Sequence, residues 1–428
     1  MTRLGVRADR YLAVALAGSL LAVFVVMLRA SHPAEPVTLP AALPLPQAAA
    51  SQPAFAPADP AGAPLPSPSA TSPDCVPAPP WVVGAPDRTS TPAPGVMVRS
   101  WHGAGHDREP LRVVAVEVAT ARAHLSVAVP ARFGLVLDTP ELTRRARAVL
   151  GLNGDYFDPG PAGAVPRGVE VRHGAVLFAP AGRTNGVGVD QNGGVHAGSL
   201  HVDGAVLATV GGSTRQLQVT SVNTGHPADR GIAVETAFGA AQPRRATWYV
   251  RVHRGVAVSS SVRDLGAPTG DDVLLMAPAA ERAALAWITT GARVRITTSV
   301  RTDDGTALAE ALGSSTPILA GSAPLVTCVG TFGTGARPRS VLAWNARRAK
   351  LWLITVNCLA PGTSGAGVLG VTYYATADIA RRLGASDAVL LDGGHSTTLA
   401  IRGDATRSDA PPAAPMRPVT NAFVVVPA

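Results

Sequence analysis

Three polar clusters in this sequence each lie at one end of an apolar run. They are 153–155 (Asn-Gly-Asp), 337–340 (Arg-Pro-Arg-Ser) and 392–397 (Asp-Gly-Gly-His-Ser-Thr). The two glycines of the third cluster let the backbone turn sharply and approach a ligand closely. If the three ends converge, the carboxylates of Asp155 and Asp392 face the guanidinium groups of Arg337 and Arg339. The simpler alternatives are a tight hairpin capped by Asp392, an Asx turn at Asp155 and a solvated pair of arginines.

This combination of side chains suits the cleavage of a sugar from a phosphodiester. The leaving group is then a phosphomonoester, whose second pKa is about 6, so it needs little protonation compared with an alcohol. Arginines that clamp the phosphate oxygens can offset the charge that develops as the group departs. A carboxylate is then left to activate water or to attack the sugar C1 itself.

The same segments, with two others, resemble the ordered motif set of the phosphodiester glycosidase family. The motifs are 153–157, 166–169 followed by 173–174, 337–340, 391–398 and 417–422. The resemblance spans about residues 100 to 428, and five motifs in the same order are more specific than any one of them. It implies an extracytoplasmic α+β domain that hydrolyses a glycosyl-phosphate linkage, with the active site at those strand ends.

We assign provisional roles on this basis. Asp392 is the principal catalytic carboxylate, and Asp155 is its acid/base partner or a ligand of a sugar hydroxyl. Arg337 and Arg339 hold the phosphate, and Glu170 is a third candidate carboxylate. His395 either donates to the phosphate or orients Asp392. The remaining predicted substrate-binding residues are Asn153, Gly393, Gly394, Ser396 and Thr397.

Three other readings of these residues remain open. A serine hydrolase would use Ser396 beside His395, or Ser364, but neither serine lies in a Gly-x-Ser-x-Gly elbow. A non-catalytic, wall-anchored module would bind sugar-phosphate polymers without cleaving them. Asp155, Asp158 and Asp392 could supply oxygen ligands to Ca²⁺ or Mg²⁺. The spacing does not by itself support a metal, so we expect no cofactor.

The elements that position these clusters are predicted from apolar patterning. Strands are expected at 111–118, 124–129, 149–153, 351–357 and 388–391, and helices at 139–149, 278–287 and 376–383, the last ending at Gly384. Residues 182–320 should be mostly antiparallel sheet, with hairpin turns at Asn192-Gly193 and Asp203-Gly204. The predicted class is α+β, with mixed, largely antiparallel sheets and a few packed helices.

The N-terminal part predicts export. Three arginines precede an apolar run at 11–28, which reaches the lower limit for a membrane span. We favour an uncleaved anchor at 1–30 over a removed signal peptide, and so a single-pass membrane protein with an extracytoplasmic catalytic domain over a secreted one. Residues 31–95 form a Pro/Ala-rich tether, because 31–80 carries fifteen prolines. The catalytic domain then occupies 96–428.

The net charge and the cysteines limit which binding partners and covalent links are expected. The formal charge of +8 is spread along the chain and aromatic content is 4%, with no recognition-helix or stacking signature, so nucleic acid is not an expected partner. A phosphoglycan of the cell envelope remains compatible with that charge. An oxidising compartment makes a disulfide between Cys328 and Cys358 plausible, against two free thiols. No paired spacing of Cys or His supports structural zinc.

Overall fold

The computed structural model describes residues 76–105, 110–160, 163–313, 315–326, 335–358, 370–402 and 416–428, with Cys358 described by its backbone alone. All of these belong to one compact unit, Ser67–Ala428. The predicted anchor, the tether up to residue 75, Ser364 and Cys328 lie outside the described residues, so the predicted disulfide is not tested. Among the described residues, no helix has the length and apolar character needed to cross a membrane.

The domain is mostly β, and the predicted α+β class is wrong. Strands account for 52% of the described residues and helices for 10%. The three α-helices are α1 (Thr139–Arg145), α2 (Arg282–Ala286) and α3 (Tyr373–Arg382). They lie where the sequence predicts helices but are only 7, 5 and 10 residues long. Strands that pair almost entirely antiparallel occupy most of the chain between them.

The helix ends follow from local chemistry. The Asp138 side chain accepts a hydrogen bond from Glu141 N and caps α1. That helix ends at Arg145 rather than near Val149, because Arg147 takes a left-handed conformation with φ 53°. Thr372 caps α3 and makes it begin earlier than predicted. The predicted stop of α3 at Gly384 is confirmed.

The first sheet has eight antiparallel strands. In spatial order they are β1 (Arg88–Ala93), β2 (Val96–Ala104), β3 (Pro110–Ala119), β22 (Lys350–Cys358), β21 (Arg339–Trp344), β23 (Asp387–Leu390), β19 (Thr316–Ala320) and β20 (Ala323–Pro324). A second, four-stranded antiparallel sheet has the order β24 (Leu399–Ile401), β5 (Leu150–Asn153), β25 (Ala422–Pro427) and β4 (Ala123–Ala128). A separate hairpin, β6 (Phe157–Gly160) with β7 (Gly163–Pro166), follows β5 in sequence.

These sheets stack in layers. Along β3, Val114 and Val116 pack on the four-stranded sheet, where Leu152 and Phe423 share their core. The alternate residues of β3 lie on the opposite face, in a core that includes Ile379 of α3. On the outer side of the four-stranded sheet, α1 packs against β25. The order of layers is therefore α3, eight-stranded sheet, four-stranded sheet, α1.

The largest sheet has eleven strands. Their order is β12 (Ser213–Val222), β13 (Ile232–Glu235), β16 (Asp272–Ala277), β14 (Trp248–His253), β15 (Val256–Ser261), β17 (Arg293–Thr302), β11 (Val195–Val210), β10 (Arg183–Asp190), β18 (Leu308–Gly313), β8 (Glu170–Arg172) and β9 (Ala175–Phe178). Because β12 also pairs with β11, seven of these strands close into a ring around an apolar core. The β12–β13 pair is parallel. The prediction of mostly antiparallel sheet at 182–320 is confirmed.

One of the two predicted hairpin turns in this sheet is wrong. Asn192-Gly193 does connect β10 to β11, but Asp203-Gly204 lies inside the continuous strand β11. A Cβ on Gly204 would lie 2.7 Å from the carbonyl oxygen of Thr297 on the neighbouring strand. Glycine is therefore needed here for close approach between strands and not for a turn.

Candidate active site

The three polar clusters converge at one edge of the molecule. Asn153 ends β5, and its Nδ2 donates to the backbone oxygen of Asp392 at 2.6 Å. The hydroxyl of Ser340, on β21, donates to Asn153 Oδ1 at 2.6 Å, and Thr398 N donates to the same oxygen at 3.0 Å. The backbone N–H of Asp392 donates to the oxygen of Gly154 at 2.9 Å. The fully buried Asn153 thus ties all three clusters together.

The two glycines of the third cluster, Gly393 and Gly394, allow close contact with the arginine segment 337–340. Gly394 N donates to Pro338 O at 2.9 Å, and Gly394 has a φ of 60°. A Cβ on Gly393 would lie 2.9 Å from the same Pro338 oxygen and 3.9 Å from the Cα of Arg339. The Asp392 loop therefore lies directly against the segment that carries the predicted phosphate-binding arginines.

Asp155 belongs to a second set of contacts around Asn421. Its side chain is 2% exposed, and its Oδ2 accepts from Gly168 N at 3.0 Å. Its backbone N–H donates to Asn421 Oδ1 at 2.7 Å, while Asn421 Nδ2 donates to Glu170 Oε1 at 2.6 Å. Asn421 O accepts from Gly154 N at 3.0 Å. Asn421 lies in a family-like motif, but reasoning from the sequence gave it no role.

Burial governs the titration of two of these carboxyl groups. It raises the pKa of Asp392, which is 8% exposed, and the Ser396 hydroxyl and the charges of Arg417 and Arg167 oppose that rise. Burial also raises the pKa of Glu170 to about 7, opposed only by the hydrogen bond from Asn421. Raised carboxyl pKa values are frequent at catalytic centres and also occur in structural networks.

Arg339 is buried and tied to backbone carbonyls. Its Nε donates to Val371 O at 3.0 Å and its Nη2 to Gly335 O at 2.7 Å. Its guanidinium carbon lies 4.4 Å from the ring centroid of Tyr373, and burial lowers its pKa. The Tyr373 hydroxyl hydrogen bonds to Tyr156, whose own pKa is raised by burial and by the nearby Tyr373 and Asp392. Tyr156 is therefore within electrostatic range of both Arg339 and Asp392.

The other predicted residues differ in their exposure. Arg337 and His395 have exposed side chains, and neither makes a side-chain hydrogen bond to the described part of the chain. Arg337 is held through its backbone, which pairs with Val371. Ser396 and Thr397, the last two residues of the third cluster, are buried.

Two arginines to which the sequence analysis gave no role, Arg167 and Arg417, act electrostatically on the carboxylates of the site. The charges of Arg167 and Arg417 both lower the pKa of Asp392, and Arg167 also interacts with Asp155. Each lies beside a proline in one of the recognised motifs, 166–169 and 417–422. Motif membership was thus the signal that could have found them.

A metal site is not apparent in the described ranges. No group of three or more His, Cys, Asp or Glu side chains there is arranged to hold an ion. Asp158, one of the three carboxylates considered for Ca²⁺ or Mg²⁺, instead accepts two hydrogen bonds from Arg167.

Part of the chain is similar to a known protein family. Residues 250–426 match the family model described as phosphodiester glycosidase. This match covers less than half of the chain, and it agrees with the family resemblance that the sequence motifs predicted. The motifs at 337–340, 391–398 and 417–422 lie inside the matched residues, and the two at 153–174 precede them. No curated protein matched the sequence.

Comparison with solved structures finds similarities at low sequence identity, and the two with TM-scores above 0.5 share the fold. A hypothetical protein from Synechocystis is 18% identical with a TM-score of 0.62, over 80% of this chain and 64% of that chain. A putative exported protein from Burkholderia pseudomallei is 20% identical with a TM-score of 0.54, over 75% of each chain. The catalytic domain of zebrafish N-acetylglucosamine-1-phosphodiester alpha-N-acetylglucosaminidase, auto-inhibited by its pro-peptide, is 11% identical with a TM-score of 0.42, over 80% of this chain and 86% of that chain.

Proposed function

We propose that this domain hydrolyses the bond between a sugar C1 and the phosphate oxygen of a glycosyl phosphodiester. The observation that carries the proposal is the buried Asp392, whose backbone is hydrogen bonded into the same network as Asp155 and whose loop lies against the arginine segment 337–340. Fold alone does not define an activity, so the proposal rests on this site together with the family match.

Asp392 is the principal carboxylate of the proposed reaction. It activates water or attacks C1, and Asp155 acts as its acid/base partner or binds a sugar hydroxyl. Of the two predicted phosphate-binding arginines, the exposed Arg337 adds positive charge on the phosphate side, and Arg339 is buried next to Tyr373. Asn153 orients the Asp392 backbone. Because the leaving group is a phosphomonoester, positive charge can replace proton donation to it.

The proposed setting is the cell envelope. The apolar run at 11–28 follows three arginines, which favours membrane attachment with the catalytic domain on the extracytoplasmic side, or secretion. Envelope phosphoglycans would then be within reach of the site. Protease treatment of intact cells should digest the domain, whereas protection of the domain would contradict this location.

The experiment that tests the activity compares two leaving groups on the same sugar. The full chain is incubated with a panel of methyl-phosphate diesters of sugars and with the matched methyl glycosides, and released sugar is identified by mass. We expect release from at least one phosphodiester and none from its methyl glycoside. Asp392→Asn should slow release by about 10²- to 10⁴-fold.

Asp203→Asn is the matched control, because Asp203 is an exposed aspartate that pairs with Arg301 on the eleven-stranded sheet. It should leave the rate unchanged. Equal rates for Asp392→Asn and the wild type would refute the assignment. Binding of phosphoglycans without any sugar release would instead support the non-catalytic module.

A further inference from the structure

We propose that Arg167 and Arg417 form the phosphate-binding pair of this site and select substrates with an anionic leaving group. The inference rests on the proposed function, but it assigns the phosphate to two residues outside the predicted arginine segment. It also gives the buried Arg339 a different task.

The two arginines are held on consecutive residues of the β6 strand. Arg167 Nε and Nη2 donate to the two carboxylate oxygens of Asp158 at 2.7 and 2.5 Å. The guanidinium carbon of Arg417 lies 4.9 Å from the ring centroid of Phe157. A bidentate pair and a cation–π contact each restrict the position of a long side chain without burying it. Both guanidinium groups are thereby kept at the same short strand.

Backbone contacts fix the same two residues next to the carboxylates. Arg167 N donates to Tyr156 O at 2.9 Å, and the following residue, Gly168, donates its N–H to Asp155 Oδ2 at 3.0 Å. Arg417 precedes Val419, whose backbone pairs with Leu137, and the segment then reaches Asn421 in the site. Arg167 is therefore one residue from a direct contact with Asp155, and the influence of both cations on Asp392 agrees with this placement.

The hydrogen-bond donors of these side chains remain accessible. Arg167 and Arg417 are both exposed, and in the described part of the chain neither Nη1 of Arg167 nor any nitrogen of Arg417 has an acceptor. Arg339, by contrast, is 6% exposed and donates to two backbone carbonyls. Because a guanidinium binds phosphate through paired N–H groups, Arg167 and Arg417 are better phosphate ligands than Arg339. Arg339 is then a positioning residue that holds Tyr373 and Tyr156.

The proposed reaction balances in atoms and charge. The C1–O bond breaks with its electron pair on the phosphate oxygen, so a phosphodiester with one negative charge becomes a phosphomonoester with up to two. Water supplies the oxygen that bonds to C1, directly or after a covalent intermediate on a carboxylate. Its proton passes to a carboxylate and then to solvent. Two guanidinium groups match the second charge as it forms.

A binding measurement tests the pair without relying on turnover. The full-length wild type, Arg167→Gln and Arg417→Gln are titrated with inorganic phosphate by calorimetry, and Arg301→Gln serves as control because Arg301 is an exposed arginine paired with Asp203. We expect each of the first two variants to bind phosphate about 10- to 100-fold more weakly, and the control to bind like the wild type. Arg167→Lys and Arg417→Lys should recover part of the affinity. Thermal unfolding of each variant checks that the fold is retained.

The outcomes separate this inference from the proposed function. Arginine-dependent phosphate binding without sugar release from any phosphodiester would leave the pair standing and refute the hydrolase. Sugar release with an unchanged KM and unchanged phosphate affinity in Arg167→Gln and Arg417→Gln would refute the pair and leave the hydrolase standing. Loss of phosphate affinity in Arg301→Gln to the same extent would show general charge attraction and would also refute the pair.

Discussion

Two buried glutamates in this domain have the same titration behaviour and very different surroundings. Glu170 lies beside Asn421, and Glu235 lies in a cluster with Asn223 in the eleven-stranded sheet. Both glutamates are almost fully buried, and burial raises the pKa of each to about 7. Each asparagine is fully buried and accepts a backbone N–H through its side-chain oxygen. A Cβ on Gly239 would meet both Asn223 and Glu235 within 2.6 Å.

The clusters differ in where their parts come from. In the second cluster, the contacts join residues close in sequence: Glu235 accepts from Gly225, and Asn223 bonds to Thr236 and Leu177, at separations of 10 to 46 positions. The first cluster joins segments from all three large sheets and includes Asp155 and Asp392. A raised pKa of a buried glutamate therefore does not identify an active site here. What distinguishes the candidate site is the convergence of distant strand ends beside accessible cations.

The largest expected difference between the two clusters is in the activity of variants of their asparagines, Asn421 and Asn223. Asn421→Ala leaves the Asp155 N–H and Glu170 without their partner and should lower sugar release by about 100-fold or more, because misplaced catalytic groups lose rate steeply. Asn223→Ala should leave the rate within about threefold, although both variants should lose roughly 1–3 kcal/mol of stability. Steady-state kinetics and urea unfolding measure the two effects. Equal loss of activity in both variants would erase the distinction.

A smaller effect, equal at the two sites, is expected on the pH dependence of stability. Both glutamates have a folded pKa above the usual value, so each contributes stability that is fully present below about pH 4.5 and is lost as pH rises through about 7. Glu170→Gln and Glu235→Gln keep the acceptor oxygen and should each flatten this loss, by roughly 3 kcal/mol at most. Unfolding measured between pH 4 and 9 provides the test. No change in slope for either variant would contradict the burial effect.

The smallest expected difference is between the activities of these two glutamine variants at one pH. Glu170→Gln should lower the rate about tenfold or less, because Glu170 acts on the site only through Asn421, and Glu235→Gln should not change it. Rates at pH 6 for the two variants and the wild type give the comparison. Complete loss of activity in Glu170→Gln would assign Glu170 a direct catalytic role instead.

Much of the site was predictable because its residues lie at the ends of apolar runs. Asn153, Arg339 and Asp392 each lie at or just beyond the end of a strand, and strand ends are where side chains from distant segments can meet. Asn421 also lies at a strand end, directly before β25, but its own segment does not indicate its partners Asp155 and Glu170, which are 266 and 251 positions away. Arg167 and Arg417 were missed because they lie in loops next to prolines, where apolar patterning gives no direction.

The fold class was harder to predict because apolar patterning shows where a helix lies better than it shows how long the helix is. Capping residues at Asp138 and Thr372 indicate where helices begin, but α1 ends early at a left-handed Arg147 that no propensity marks. Asp203-Gly204 has the composition of a turn and still lies within a strand. Glycine is needed at position 204 because the neighbouring strand approaches closely at Thr297, and the local sequence does not show this contact.

The position of β25 between β5 and β4 has a consequence for how the protein is made. Asn421 follows Asp155 by 266 positions, and β5 and β4 both hydrogen bond to β25 rather than to each other. As the chain emerges from the ribosome or a translocation channel, β4 and β5 cannot join the same sheet until β25 has emerged. The candidate site should therefore be completed only in a late step of biogenesis, after β25 has become available.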